Sequence, residues 1–544
     1  MTSRRRFSWF FPSTVLACAL AGGLVGGRVE ATADPADDAD VQTSLKQFTQ
    51  IYELVEQNYA NRVDPDAAIF DNPAKGGGAI PGMLRQLDPH SIFFDPKAFS
   101  KLREDQEGRY SGVGMVIAPR EERDGHVVVV VLDPMPNSPA LKAGLLAGDV
   151  VVRVDDKSTE GMGTTEVANL LKGPRGTTVH ITVARETKPA PLQFDVVRRE
   201  IPHPSVDTAF LIRPGVAYIH IAEFSETTGE ELRQALGNLD SKSLHGLILD
   251  LQDNPGGVLK AAVEVSGNFL EKNQLIVYHA GRNSREERYV APVGEKGNQF
   301  PMVVLINRMT ASAAEIVAGA LQDHDRALLM GEPSFGKGLV QSVYTLSEHT
   351  GLALTTAHYY TPSGRLIQRD YSGVSLYDYY MHFQESGAAE HPEVRRTDAG
   401  REVYGGGGIT PDLTFHEPPA SPVQFVLRER REAFLSFALD YLHAHGASVP
   451  RDFVADGAVL AEFRKYLASE EIPLTDEDFN ANLDFIRGNI RAELLDVVYG
   501  QAEGDKAKRE FDPIVQKALG EMPQARELLA RLHRAAAGPK GPGF

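Results

Sequence analysis

One stretch, residues 307–341 (NRMTASAAEIVAGALQDHDRALLMGEPSFGKGLVQ), constrains this chain more than any other. The residues before it, 301–306, form a short apolar run rich in β-branched side chains, which predicts a buried strand. The text then turns helical just after Ser312. A hydroxyl at a strand-to-helix turn projects from a sheet edge beside unpaired helix N-terminal amides, and such amides can bind negative charge. Further on, Lys337 sits between Gly336 and Gly338, and Gln341 follows at i+4. Each piece also has a plain structural reading. Ser312-x-x-Glu315 is a capping box, and a lone lysine is usually a solvated one. Gly331 to Lys337 comes close to a phosphate-binding P-loop. Gly338, however, replaces the Ser/Thr that such a loop needs, and residues 339–346 read as a strand rather than a helix. The P-loop is excluded.

A chain of 544 residues is too long for one ordinary domain, and two to four are expected. A hydrophobic content of 42% is enough for several cores. The net charge of −18 argues against nucleic acid as a partner. The single cysteine, Cys18, lies in the N-terminal segment, which excludes a disulfide scaffold and a cysteine nucleophile in the folded part.

Residues 1–33 read as a targeting segment: Arg4, Arg5 and Arg6, an apolar stretch over 7–25, then Ala31-Thr32-Ala33 before an acidic run. Cleavage after Ala33 is expected. Residues 15–18 (VLAC) also resemble a lipoprotein box and residues 3–7 a twin-arginine signal. An uncleaved membrane tether is the remaining alternative, weakened by Pro12 and the glycines. All of these export the protein from a bacterial cytoplasm, leaving it periplasmic or attached to the outside of the inner membrane.

Val41, Leu45, Phe48, Tyr52, Val55 and Tyr59 recur at helical spacing and predict an amphipathic helix. A short helix over 78–87 ends in Leu87-Asp-Pro-His-Ser91, where His90 reads as part of a capped turn. From about 110 to 199 strands and glycines dominate, and the stretch SPALKAGLLAGDVVVRVD resembles a PDZ domain. That resemblance implies capture of a peptide C-terminus by strand addition, with the carboxylate on backbone amides of a glycine-containing loop. The loop would be Tyr110-Ser111-Gly112-Val113-Gly114. The groove would lie between Val113-Gly114-Met115 and a helix carrying Val167, Leu170 and Leu171, residues that serve equally well as core. Strands are then expected over 215–224, 246–251 and 352–360, and helices over 230–239 and 258–270. Residues 371–404 read as a surface loop, and helices follow Pro419 to about 535, where disorder is expected.

TASAAEI followed by GKGLVQ, with the LDPHS turn, DNPGG at 253–257 and the PDZ-like segment, resembles the C-terminal processing (tail-specific) serine peptidases. The resemblance implies Ser312 as nucleophile, Lys337 as general base and Gln341 as the residue that positions it. It also implies an oxyanion hole from a backbone amide of Gly256 or Gly257 together with that of Ala313. A lysine serves as a base only if its pKa falls toward neutrality, as burial in an apolar pocket can make it do. Gly-x-Ser-x-Gly is absent, but a Ser-His-Asp site using His324, His349 or His358 remains a rival, as does a non-catalytic PDZ scaffold.

The expected fold is α/β and multidomain. It comprises a targeting segment (1–33), N-terminal helices (34–100), a PDZ-like β-rich domain (101–200), a spiral ββα peptidase core (201–417) and a helical C-terminal region (418–544). The expected partners are polypeptides with free apolar C-termini. The C-terminal helices offer an oligomer contact, and nothing in the sequence requires a metal or cofactor.

Overall fold

The apolar runs at 216–220, 246–250 and 302–306 have almost no polar face, so strands made from them need cover on both sides. The computed structural model describes residues 35–70, 77–121, 126–292, 298–346, 349–381, 393–416, 419–429, 432–472 and 474–537. The targeting segment and the last residues, 538–544, lie outside these.

Helix α1 (Pro35–Asn58) forms where the apolar spacing predicts it. Apart from the half-buried Tyr52, its apolar positions are nevertheless exposed, Leu45 by 56% and Tyr59 by 60%. Helix α2 (Pro96–Glu107) is capped by Asp95 and stopped by Gly108, whose φ of 66° suits a residue without Cβ. It leads into an antiparallel sheet ordered β1 (Met115–Glu121), β2 (Val127–Pro134), β3 (Val150–Val154), β4 (Thr178–Ala184) and β5 (Leu192–Val197). Helix α3 (Thr164–Leu171) packs on it. Strand β1 lies at the edge of the sheet.

From residue 208 the chain runs β6 (Thr208–Arg213), β7 (Val216–His220), α4 (Thr228–Asn238), β8 (Gly246–Asp250) and α5 (Leu259–Gly267). It continues through β9 (Leu275–Ala280), β10 (Glu287–Val290), β11 (Met302–Ile306), α6 (Ala313–Asp323) and β12 (Leu328–Gly331). Then come β13 (Leu339–Thr345), β14 (Gly351–Tyr360) and β15 (Leu413–Thr414). Strands β6-β7-β8-β11-β12-β15 make the central sheet, parallel from β7 onward. Strand β14 centres a second, antiparallel sheet with β13, β9, β10 and the short strand Ile92–Phe94.

Helices α4, α5 and α6 cover one face of the central sheet. The other face is covered from the far end of the chain. Helices α7 (Gln501–Arg509) and α8 (Pro513–Ala537) lie there, with Ile514, Val515 and Ala518 packed against Tyr218, Ile248, Val303 and Leu305. The remaining C-terminal helices close around their own core, centred on Phe434, Phe437, Phe463 and Ile486. The helical C-terminal region is therefore partly a layer of the central α/β unit.

Residues 371–404 differ from the surface loop that their polar text suggests. They contain a helix (Leu376–Met381) and a hairpin of Val394–Arg396 with Glu402–Tyr404. Tyr379 is 1% exposed, because a tyrosine can bury its ring while its hydroxyl keeps a partner.

If α8 supplies this cover, Val515→Asp should destabilise the whole central unit by about 3 kcal/mol or more, since it buries an unpaired carboxylate. Chemical unfolding followed by fluorescence of the native chain and the variant checks this.

Candidate active site

The chain reaches Ser312 through a tightly bonded turn. Asn307 N donates to Thr310 Oγ1 at 2.9 Å, and that hydroxyl donates on to Leu251 O at 2.7 Å. Two loops from the same end of the central sheet are thereby tied together. Asn307 Nδ2 donates to Asp253 Oδ1, Asp253 N donates back to Asn307 Oδ1, and Ala311 N donates to Asn254 O. Ser312 then takes φ 54° and ψ −112°. Positive φ in a non-glycine residue stores strain that the surroundings must impose. The side chain is fully buried, and its Oγ has no hydrogen-bond partner.

Only half of the capping box exists. Ser312 N donates to Glu315 Oε2 at 2.8 Å, but the Ser312 hydroxyl does not cap the helix in return. Glu315 is itself fully buried and accepts three further bonds. Lys337 N reaches Oε2 at 2.9 Å, while Gly336 N and Ser334 Oγ reach Oε1 at 2.7 and 2.5 Å. Burial pushes this carboxyl above its ordinary range, and the four donors pull it back. One carboxylate thus binds the serine turn to the lysine loop. Tyr359 adds a second link, with its hydroxyl 2.5 Å from Lys337 O and 3.1 Å from Ser312 O.

Lys337 is 2% exposed, and its Nζ donates to Gln341 Oε1 at 2.8 Å. The β13–β14 ladder slips at this point. Val340 lies opposite Ala357 and Gln341 opposite Thr355, an irregularity that re-aims a strand side chain. Gln341 Nε2 in turn donates to His90 O. The turn bearing His90 is held by Asp88, whose Oδ1 accepts His90 N and Ser91 N at 2.7 Å each. The His90 ring nitrogens lie 3.1 and 3.4 Å from the hydroxyls of Tyr379 and Tyr380. Burial, with Lys337 and Arg369 nearby, holds the ring well below its usual pKa. The sequence marks His90 as a turn residue but not its carbonyl as a support for Gln341. Tyr359 carried no signal beyond its strand.

Among the described residues, no histidine is hydrogen-bonded to Ser312 Oγ. His324 lies at the far end of α6, bonded to Asp398 Oδ2 and Leu275 O, each at 2.7 Å. His358 neighbours Tyr359 on β14, and alternation points it away from Ser312. His349 is exposed.

Gly256 and Gly257 lie against the serine turn. A Cβ on Gly256 would stand 2.8 Å from Ser312 Cβ and 2.9 Å from Ala313 N. The Gly256 N–H is donated to Asn254 Oδ1 at 2.8 Å and is therefore engaged within the loop. Gly257 has φ 140°, and a Cβ there would meet Phe224 O at 1.9 Å, so the position requires glycine.

In the β-rich unit, Val113, Met115, Val167 and Leu171 are buried in the core, whereas Leu170 is half-buried. A small sheet covered by one helix must fill its interior with the residues that face that helix. The 112–114 turn is held through its carbonyls, Val113 O accepting Ala140 N and Gly114 O accepting Met135 N. Gly112 is buried with it. Tyr110 is half-buried under the Lys172 ammonium, which lies 4.7 Å from its ring centroid. Ser111 Oγ is buried without a partner.

The sequence profile of peptidase family S41 matches residues 215–375, and that of a PDZ domain matches residues 130–185. The carboxy-terminal-processing protease of Bartonella bacilliformis is 36% identical over 336 residues, which is 61% of this chain and 74% of that protein. The chain belongs to peptidase family S41. It is a serine peptidase with a PDZ domain. The carboxy-terminal processing protease CtpB of Bacillus subtilis is 31% identical, covering 61% of this S41 peptidase and 67% of its own length. Among solved structures, the photosystem II D1 C-terminal processing protease is 30% identical over 63% of this chain and 82% of that one, with a TM-score of 0.33.

Glu315→Ala should cost about 3–5 kcal/mol of stability, because four buried donors lose their acceptor together. Glu315→Gln should cost less but remain destabilising, since its amide group turns a donor toward other donors. Urea unfolding of both variants checks the order.

Proposed function

We propose that this S41 peptidase is an exported endopeptidase that recognises protein substrates by their C-termini, with Ser312 as nucleophile, Lys337 as general base and Gln341 orienting Lys337. The observation that carries this reading is a buried, strained serine hydroxyl with no partner, tied through Glu315 to the loop of a buried lysine that Gln341 holds. As Ser312 Oγ attacks the scissile carbonyl, the neutral Lys337 amine takes its proton. The carbonyl oxygen becomes an oxyanion, for which Gly257 and Ala313 N–H are the proposed donors. Collapse breaks the C–N bond, and the Lys337 ammonium gives its proton to the departing amine. Water then loses a proton to Lys337 as it attacks the acyl ester, and Ser312 leaves with that proton restored. Ser312 is fully buried, so a polypeptide reaches it only after neighbouring segments move.

The proposed role of the PDZ domain is to bind a substrate's free, apolar C-terminus on the open edge of β1 beside α3, with the 110–114 turn toward the carboxylate. Two features support it: β1 is an edge strand, and α3 packs alongside. The N-terminal segment would direct export, and no helix among the described residues is long and apolar enough to cross a membrane.

Ser312→Ala and Lys337→Ala should each lower the hydrolysis of casein or a model peptide about 10³-fold or more with the fold intact. Gln341→Ala should be milder if it only orients the amine. Near-native activity in Lys337→Ala, with loss in His358→Ala, would overturn the assignment.

A peptide with a free apolar C-terminus should be cleaved faster than its amidated twin, because amidation removes the charge that the loop amides would satisfy. Equal rates on the two in the native enzyme would leave the PDZ domain without this role. Deleting about residues 111–199 should lower the rate if the domain delivers substrate and raise it if the domain covers the site.

A further inference from the structure

A cavity of about 660 Å³ opens beside the 252–257 loop at the C-terminal edge of the parallel strands, and the far end of the chain supplies part of its wall. His220, Asp250, Asp253, Asn307, Arg509 and Asp512 line it. Asp250 ends β8 and is 1% exposed. Its Oδ2 accepts the Tyr218 hydroxyl at 2.6 Å, and its Oδ1 accepts Gln252 N at 2.9 Å. The second bond is an Asx turn, which sets the direction in which the chain leaves the strand toward Asp253 and Gly257.

Among the described residues, no cation is in direct contact with this buried carboxylate. The positive charges facing it are His220 from β7 and Arg509 from α7. His220 is itself bonded to Asp207 Oδ1 at 2.7 Å and is charged only when protonated. Arg509 is the permanent charge. Its guanidinium lies 5.6 Å from the centroid of the Tyr218 ring and is tethered to Asp512 Oδ2 at 2.9 Å. The Tyr218 ring also stacks on Phe210 at 5.3 Å. Further carboxylates gather around the same corner, Asp207 just before β6, Asp253 in the loop, Asp505 on α7 and Asp512 just before α8.

We propose that Asp250 is a positioning residue for the 252–257 loop, and that Arg509 supplies the positive charge this buried carboxylate needs. Burial raises the carboxyl of Asp250, while His220, Arg509 and the bonds from Tyr218 and Gln252 oppose that rise. Once protonated, Asp250 is a weaker acceptor for Gln252 N, and the loop loses its first constraint. The proposed oxyanion donor, Gly257, is five residues beyond the bond that fixes its approach. The C-terminal region therefore acts on the site electrostatically as well as by covering the sheet.

This inference rests on reading Ser312 and the 252–257 loop as the catalytic pair. Full-length Arg509→Gln, Arg509→Lys, Asp250→Ala and the double variant Asp250→Ala/Arg509→Gln are assayed on one peptide with a free apolar C-terminus. Arg509→Gln should lower kcat about tenfold with KM within about twofold. Removing a positive charge raises the carboxyl's pKa, so the acid limb of its rate profile should move to higher pH. Arg509→Lys should restore most of both. Asp250→Ala should lower kcat at least as far as Arg509→Gln, and the double variant should match Asp250→Ala, because Arg509 acts through that carboxylate. Losses that multiply in the double variant, or native kcat and acid limb in Arg509→Gln, would overturn the proposal. So would a loss of kcat fully explained by the unfolded fraction at the assay temperature. Ser312→Ala separates the two readings. If it is active, the proposed site is wrong; if it is inactive while Asp250→Ala and Arg509→Gln behave as native, only this inference falls.

Discussion

Four donors converge on one buried carboxylate, Glu315, and the geometry of the site depends on that convergence. Taking a carboxylate out of water is costly unless its lone pairs are filled. Here they are filled by the backbone of Ser312 on one side and by Ser334, Gly336 and Lys337 on the other. These segments come from opposite ends of α6 and β12, so nothing local keeps them in register. The price of burying the charge is what makes the arrangement specific, because any shift of either loop leaves a donor or an oxygen unpaired.

The same logic explains why the strained backbone at Ser312 survives. A positive φ costs about 1–3 kcal/mol, and it persists only where the surroundings over-determine it. Asn307, Thr310 and Ala311 fix the approach from β11 through bonds to Asp253, Leu251 and Asn254. Glu315 and Tyr359 fix the exit. The hydroxyl is left out of this network, although the backbone amide and carbonyl of the same residue are both engaged in it. That asymmetry fits the proposed nucleophile better than it fits a helix cap.

Much of this was legible in the sequence because it is local. The buried strands at 246–250 and 302–306, the turn after each, and the helix after Ser312 all follow from apolar runs and turn residues. Ser312, Lys337 and Gln341 came from a motif resemblance, and the geometry joins Lys337 to Gln341. Contacts between distant segments were not legible. Glu315 read as half of a capping box, because the pattern Ser-x-x-Glu does not reveal a second loop bonded to the same carboxylate. The 371–404 segment read as solvated, because the burial of Tyr379 against His90 and Phe335 leaves no periodic trace. In the PDZ domain, Val113, Met115, Val167 and Leu171 were equally good groove or core residues by type, and only the packing places them inside.

The long-range character of these supports bears on when the site becomes competent. Gln341 donates to a carbonyl 251 residues earlier, in the turn at His90, and Asp250 faces a charge at Arg509 near the other end of the chain. Closing such loops carries an entropic cost that grows slowly with their length, and it must be met before the contacts repay it. The serine turn and the lysine loop can be assembled within residues 250–360. The orientation of Lys337 through Gln341 cannot, because it waits for the N-terminal turn to dock. Cover for the second face of the central sheet likewise waits for α8. A chain folded only through its middle would therefore have the backbones of Ser312 and Lys337 tied to Glu315 without the proposed positioning groups. Full alignment belongs to the completed chain, with its first and last described thirds both in place around the central sheet.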